Sequence, residues 1–366
     1  MIFTPRPWQP PMMEHIARHD RCAIFAAMGS GKTGAVLHAL RGIEPMEQAP
    51  GLILGPRRVA VGKDSKDQGV WKNEIGKWTS LAGIDVTPIR GSPEQRLKLL
   101  KQDTLFHAIN YEQLPWLVSH YGREKWPYRT IVADESTRLK GARAMGQGGQ
   151  RTNALAKVSP RVQRFIELTG TPCPNGLKDL WGQMMYLDGG ARLGTSFTAF
   201  RERWFGRSFD GHSIDPFPFA QEQIQERIKD ICLTVDPKDY GVDVGEPIEQ
   251  DVEIELPGKA MDAYREMERK MFLELEHELA VHEIEAVHAA SRTNKCLQIA
   301  AGFVYNSDSE AIPIHEEKLE ALDSIREEAN GMPLLVSYIF QEDFAMLKRK
   351  FPQLKHIDEV DTSDNG

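Results

Sequence analysis

At 366 residues, with 41% hydrophobic and 27% charged side chains, the chain is too long for one small core and reads as a globular protein of two domains with room for an insertion. No apolar run is long enough to cross a bilayer, and the opening MIFTPRPWQP lacks both the charge pattern and the apolar core of a signal peptide, so a soluble intracellular protein with no membrane partner is expected. The formal net charge of −8 is uneven: residues 1–210 carry 30 Lys and Arg against 19 Asp and Glu, and residues 211–366 carry 15 against 34, which fits either a polyanion site in the first half or ordinary solvated charge.

In chain order, Gln9 comes first, in RPWQPPMMEHI, where its amide could both donate to and accept from an adenine edge. A short apolar run, Cys22 to Phe25, then enters AAMGSGKT and a segment, Thr33 to Leu40, composed like a helix. A strand turning through glycines into a helix aims unpaired N–H groups and a helix N-terminus at one small volume, which suits a chain of phosphates. Gly29, Ser30 and Gly31 would form the cradle, Lys32 would neutralise the outer phosphates, and the Thr33 hydroxyl would help hold Mg²⁺. Ala26 stands where the strict pattern has its first Gly.

GLILGP at 51–56 reads as a buried strand, followed by Arg57, Arg58 and a helical WKNEIGKW in which Trp71, Ile75 and Trp78 share one face and belong to the core. TLFHAIN at 104–110 is another strand. Thr130 to Ala133 is a further one, ending in Asp134 and Glu135; a turn there can aim both carboxylates at the crevice beyond the strand ends. RFIELTG at 164–170 runs into Thr169, Gly170, Thr171 and Pro172, hydroxyl residues that serve either as a link to the carboxylates or as simple turn chemistry. Alternation of strand, loop and helix implies a parallel sheet with helices on both faces. Cys22, Cys173, Cys232 and Cys296 form no CxxC pair and the histidines have no HExxH spacing, so reduced thiols and no protein-bound zinc are expected.

Taken together, RPWQ, MGSGKT, LILGPRRV with WKNEIGKW, HAINYEQL, VADESTRLK and LTGTPCPNG make six motifs in one order. In this the chain resembles the superfamily-two nucleic-acid translocases, and within them the Swi/Snf-type ATPases, especially their compact phage and bacterial forms. The resemblance covers essentially the first half. It implies an α/β fold of RecA-like lobes, ATP and Mg²⁺ as cofactors, DNA, double-stranded, as partner, and a cytoplasmic setting in a bacterium or phage-infected host. Gln9 then resembles the adenine reader, and Gly29 to Thr33 the phosphate loop. Lys32, Asp134 and Glu135 would be catalytic, with Thr33 and Asp134 on the metal and Glu135 on the attacking water. Thr169, Gly170 and Thr171 match the coupling motif. Arg57, Arg58, Arg138 and Lys140 follow strand ends and suit either DNA phosphates or plain surface charge.

The domains expected are a RecA-like ATP-binding lobe at 1–176, a helical insertion and linker at 177–250, and the start of a second RecA-like lobe at 251–366. Within the insertion, FTAFRERWFGRSF at 197–209 interleaves Phe200, Trp204 and Phe205 with Arg201, Arg203 and Arg207, fit either for DNA contact or for packing a small helical subdomain. Met261, Tyr264, Met267 and Met271 form a core-type stripe, and Leu334 to Phe340 is a strand candidate before a helix. A Gln/Arg-rich helix placing arginines on the γ-phosphate has no counterpart here, so weak turnover is expected. A truncated motor, a short chain completed by a second polypeptide, and a hydrolysis-deficient, nucleotide-gated DNA-binding module are the alternatives.

Overall fold

The computed structural model describes residues 1–43, 50–63, 67–142, 148–207, 214–241, 251–278, 286–306, 308–329 and 332–359. In the first part α1 (Gln9–Arg18), β1 (Arg21–Ala26), α2 (Lys32–Ile43), β2 (Gly51–Gly55), α3 (Arg57–Ala60) and α4 (Val70–Lys77) come first. They are followed by β3 (Val86–Pro88), α5 (Pro93–Leu99), β4 (Phe106–Asn110), α6 (Leu114–Tyr121), β5 (Thr130–Asp134), α7 (Gln150–Val158) and β6 (Arg164–Thr169). Then come α8 (Leu180–Asp188), α9 (Phe197–Trp204), the hairpin β7 (Phe205–Arg207) and β8 (Ile214–Pro216), α10 (Ala220–Ile228) and β9 (Cys232–Val235).

Seven of these strands form one sheet in the order β3-β4-β2-β5-β6-β1-β9, every pair parallel. Strands covered on both faces read as continuous apolar runs and not as alternation, which is why β2, β4 and β5 are buried at every residue. One face packs Met12, Ile16, Val36, Leu37 and Trp71 from α1, α2 and α4. The other packs Leu117, Leu155, Trp181 and Met184 from α6, α7 and α8.

The chain separates into two compact units, Met1–Gly245 and Glu246–Gly366. Residues that the sequence sets apart as an insertion share the first unit's core: Phe200, Trp204, Ile224 and Ile228 lie in the same apolar cluster as Phe165 and Tyr186. β9 closes the sheet beside β1, with Ala23 opposite Cys232. Phe200, Trp204 and Phe205 of the 197–209 run are buried while Arg201, Arg203 and Arg207 face solvent, so these three rings are packing and not a stacking platform; residues 208 and 209 lie outside the described residues.

The second unit comprises α11 (Gly258–Glu278), α12 (Ala286–Ala301), the antiparallel pair β10 (Phe303–Tyr305) and β11 (Ala311–Pro313), α13 (Glu317–Glu328) and α14 (Gln341–Lys350). Its small core holds Phe303, Leu319, Met346, Leu347 and Phe351. The strand expected over Leu334 to Phe340 is not formed. Among the described residues no neighbouring strand offers it backbone partners, and an unpaired strand leaves its N–H and C=O groups without bonds. Val336 and Phe340 pack on the core, and the Phe340 N–H donates to Asp343 Oδ2 at 2.9 Å to start α14. Met271 of the stripe lies outside the residues whose side chains are described. No helix among the described residues is long and apolar enough to cross a membrane.

Candidate nucleotide site

The glycine turn leaves β1 at Ala26 and enters α2 at Lys32, as the sequence requires. Gly29 and Gly31 have φ of +74° and +77°, the left-handed region that a side chain resists. At Gly31 space is also decisive, since a Cβ there would lie 2.5 Å from Gln9 Nε2. The segment leading into α1, together with the helix's first residue, clasps the turn through three successive carbonyls. Arg6 Nη1 donates to Gly29 O at 2.9 Å, Trp8 Nε1 to Ser30 O at 2.8 Å and Gln9 Nε2 to Gly31 O at 2.9 Å. Gln9 Oε1 accepts from the Arg6 N–H, so the amide is oriented and buried, with one donor and one acceptor position still to offer. Lys32 Nζ donates to Ala26 O at 2.7 Å and Ala27 O at 3.1 Å. Thr33, next in the first turn of α2, is half-buried.

Asp134 ends β5, two strands from β1 with β6 between them, so the lysine turn and the acid turn emerge ~10 Å apart at the carboxyl ends of the strands. They sense each other. Burial lowers the Lys32 pKa and the charges of Asp134 and Glu135 raise it. Burial pushes the Asp134 carboxyl up to about 6, against the Trp71 hydrogen bond and the Lys32 charge, which hold it down. Trp71 Nε1 donates to Asp134 Oδ2 at 3.0 Å, the Glu135 N–H to Oδ1 at 3.1 Å, and Tyr111 Oη to the Asp134 carbonyl at 2.9 Å. Glu135 adopts φ +54°, ψ +54°, a left-handed conformation costly for a side-chain-bearing residue, and it turns the chain so that the second carboxylate does not continue along the strand. Glu135 is half-buried.

Thr169 ends β6 between the two turns and is fully buried, its Oγ1 accepting from the Thr171 N–H at 3.1 Å. Gly170 lies against the phosphate loop, where a Cβ would meet Ala26 O at 3.3 Å. The four basic candidates are spread out. Arg57 and Arg58 open α3 on the surface. Arg57 also lines a cavity of about 710 Å³ with Lys63, Arg90, Lys98, Asn110 and Gln113, off the ends of β2, β3 and β4. Arg138 pairs with Glu112 at 3.2 Å and Lys140 with Asp179 at 3.7 Å.

The donor set fits a magnesium nucleotide. A buried carboxylate held up to about 6 stands opposite a lysine turned onto loop carbonyls, and Ser30 Oγ is buried without a partner. Hard oxygen groups of this kind suit Mg²⁺. Sequence reasoning assigned Trp71 to the core, and it is fully buried there; that its indole N–H also steadies Asp134 carries no local sequence signal, because the two are 63 residues apart. Cys22, Cys232 and Cys296 are buried free thiols and Cys173 is half-buried, all raised in pKa by burial.

The profile of the SNF2-related domain matches residues 12–300. Protein p41 of Acyrthosiphon pisum secondary endosymbiont phage 1 is 42% identical over 365 residues, covering 97% of this chain and 76% of that protein. Helicase SWR1 of Saccharomyces cerevisiae is 28% identical over 205 residues, which are 52% of this chain and 12% of that one. Among solved structures, the Sulfolobus solfataricus SWI2/SNF2 ATPase core in complex with dsDNA superposes with a TM-score of 0.50 at 20% identity, over 90% of this chain and 65% of that chain, a likeness of fold. The chain thus spans just under two thirds of that core and a small part of the large helicase.

Proposed function

The chain belongs to the SNF2-related domain family, and from that premise we propose that it is a DNA-dependent ATPase of the Swi/Snf type, coupling hydrolysis of Mg-ATP to movement on double-stranded DNA. The observation that carries the reading is the convergence of Lys32, Asp134 and Glu135 at the carboxyl ends of neighbouring strands, close enough for the acids to shift the lysine. Gly29, Ser30 and Gly31 offer backbone N–H groups to the phosphates, and Lys32 exchanges its loop carbonyls for the outer phosphate oxygens. Asp134 and the Thr33 hydroxyl hold Mg²⁺, which when bound offsets charge on the transferring phosphoryl group. Glu135, displaced from the strand line by its left-handed turn, orients the attacking water and takes its proton. Gln9 presents its remaining donor and acceptor to adenine. Thr169, Gly170 and Thr171 lie between the two turns, where a change at the phosphates is felt.

DNA contact is supported by the cavity holding Arg57, Lys63, Arg90 and Lys98. Arg58, Arg138 and Lys140 are further basic candidates that do not line that cavity. Arg138 and Glu112 are both about half exposed, and an ion pair of that kind is worth at most ~1 kcal/mol, so a phosphate can replace the carboxylate. The second unit leaves Leu335 86% and Ile339 77% exposed beside an apolar cavity of about 340 Å³ lined by Val336, Phe340 and Leu347. Such a face suits packing of further strands, from a longer chain or a second polypeptide. The test is ATP turnover and Mg-ATP affinity with and without duplex DNA. Lys32→Ala is expected to lower nucleotide affinity by roughly tenfold or more. Undiminished affinity in that variant, or turnover indifferent to DNA, overturns the reading, while nucleotide and DNA binding with no turnover favours a nucleotide-gated clamp.

A further inference from the structure

Beneath the two catalytic turns lies a polar cluster in an otherwise apolar layer. Ser136, Glu167 and Gln183 are each completely buried, one from the acid turn, one from β6 and one from α8. Ser136 Oγ donates to Gln183 Oε1 at 2.9 Å. Gln183 Nε2 donates to Pro172 O at 2.8 Å and to Asp179 O at 3.1 Å, so the whole amide is engaged and its orientation is fixed. The Glu167 carboxyl lies beside Ser136, whose hydroxyl proton goes to Gln183, and burial holds it well above its ordinary pKa.

A second connection runs alongside. Lys140, from the far side of the acid turn, pairs with Asp179, whose Oδ2 accepts from the Asn175 N–H at 2.8 Å. Between the two connections α8 fits tightly, because a Cβ on Gly182 would come within 2.6 Å of Lys140 O and 2.8 Å of Leu139 O. The first turns of α8 therefore touch the loop after Asp134 and Glu135 on one side and the loop after Thr169 on the other. Burying an amide among apolar side chains is costly unless every bond is made. A leucine of similar volume would leave the buried Ser136 hydroxyl and the Pro172 carbonyl without this partner, so the amide joins two loops as well as filling space.

We propose that Gln183 is a positioning residue that ties the acid turn to the Thr169–Pro172 loop, so that occupation of the nucleotide site at the first is transmitted to the second through Ser136 and the Pro172 carbonyl. The inference rests on the nucleotide reading and adds to it a route. Buried hydrogen-bonded links of this kind hold two loops in register without either touching the ligand directly.

The experiment is hydrogen–deuterium exchange of the full chain with and without Mg²⁺ and a non-hydrolysable ATP analogue, alongside steady-state ATP turnover. In the parent the analogue is expected to slow exchange at both 135–140 and 170–176. In Gln183→Leu the response at 135–140 persists while that at 170–176 falls at least about threefold. In the same variant analogue affinity stays within about twofold and kcat falls with little change in KM. Ser136→Ala, which removes one bond without altering packing volume, is expected to act in the same direction and decides the matter should the leucine variant fail to fold. Persistence of the parental response at 170–176 overturns the proposal, as does a parent that binds the analogue with no response there. A parent that binds no analogue at all instead removes the nucleotide reading, and the coupling with it.

Discussion

Replacing Asp134 by Asn should make the nucleotide-free protein more stable at neutral pH and inactive. The carboxyl sits 7% exposed at the end of β5 and is raised from an ordinary 3.8 to about 6, chiefly by burial. A group whose folded pKa is raised binds more protons folded than unfolded between the two values, so its contribution to stability falls as pH rises from about 4 through about 6. A shift of roughly two units at 1.36 kcal/mol each is about 3 kcal/mol of penalty above pH 6. Asn keeps an acceptor for Trp71 Nε1 but sets an NH₂ against the Glu135 N–H, which returns about 1 kcal/mol. The variant is therefore expected to exceed the parent by about 2 kcal/mol at pH 8 in chelator and to show no advantage near pH 4. Urea unfolding of both proteins across that range measures the offset. With saturating Mg-ATP the order reverses, because only the parent gains the binding term. An offset that does not change between pH 4 and 8 would refute the argument that burial is what raises this carboxyl.

Three further outcomes can be checked. Gly31→Ala combines a φ of +77° with a Cβ 2.5 Å from Gln9 Nε2; it should lower stability by about 1–3 kcal/mol and weaken ATP binding, and adding Gln9→Ala should recover part of the loss in thermal midpoint but not all of it. Trp71→Phe keeps the buried ring and removes the indole donor to Asp134, so Mg²⁺-dependent nucleotide affinity at pH 7 should fall by about tenfold, for a bond to a charged group worth about 1.5–3 kcal/mol. Calorimetric titration showing parental affinity would contradict it. Glu167→Gln should gain on the parent as pH rises above 4.5, because burial holds the Glu167 carboxyl well above its ordinary value and the folded state keeps a proton that the unfolded chain releases. Denaturation midpoints at pH 4.5 and 8 that differ equally between the two proteins would show that the carboxyl is not the cause.

Much of the site is legible along the chain because its parts are local. A glycine that must take positive φ, a lysine one residue on, and two carboxylates at the close of an apolar run can each be read from a few neighbouring residues, as Gly31, Lys32, Asp134 and Glu135 were. The core strands are equally plain where both faces are covered, as in GLILG and TIVAD. β3 is three residues ending in a proline, too short for periodicity to register. β9 follows a helical stretch and declares itself only by pairing with β1 across some two hundred residues. The ring-and-arginine run at 197–209 had two readings with the same composition, and the side on which each residue falls separated them.

What the sequence determined by itself was the family and the local parts: the glycine turn with its lysine, the paired acids at a strand end, and the order in which they occur. Tertiary structure alone decided what supports them, since Trp71 on Asp134, Arg6 and Gln9 on the glycine turn, and Gln183 between two loops are contacts across long separations. Local preference arises from backbone sterics and the spacing of apolar side chains, whereas a hydrogen bond between distant residues exists only once packing has excluded water and brought the partners together.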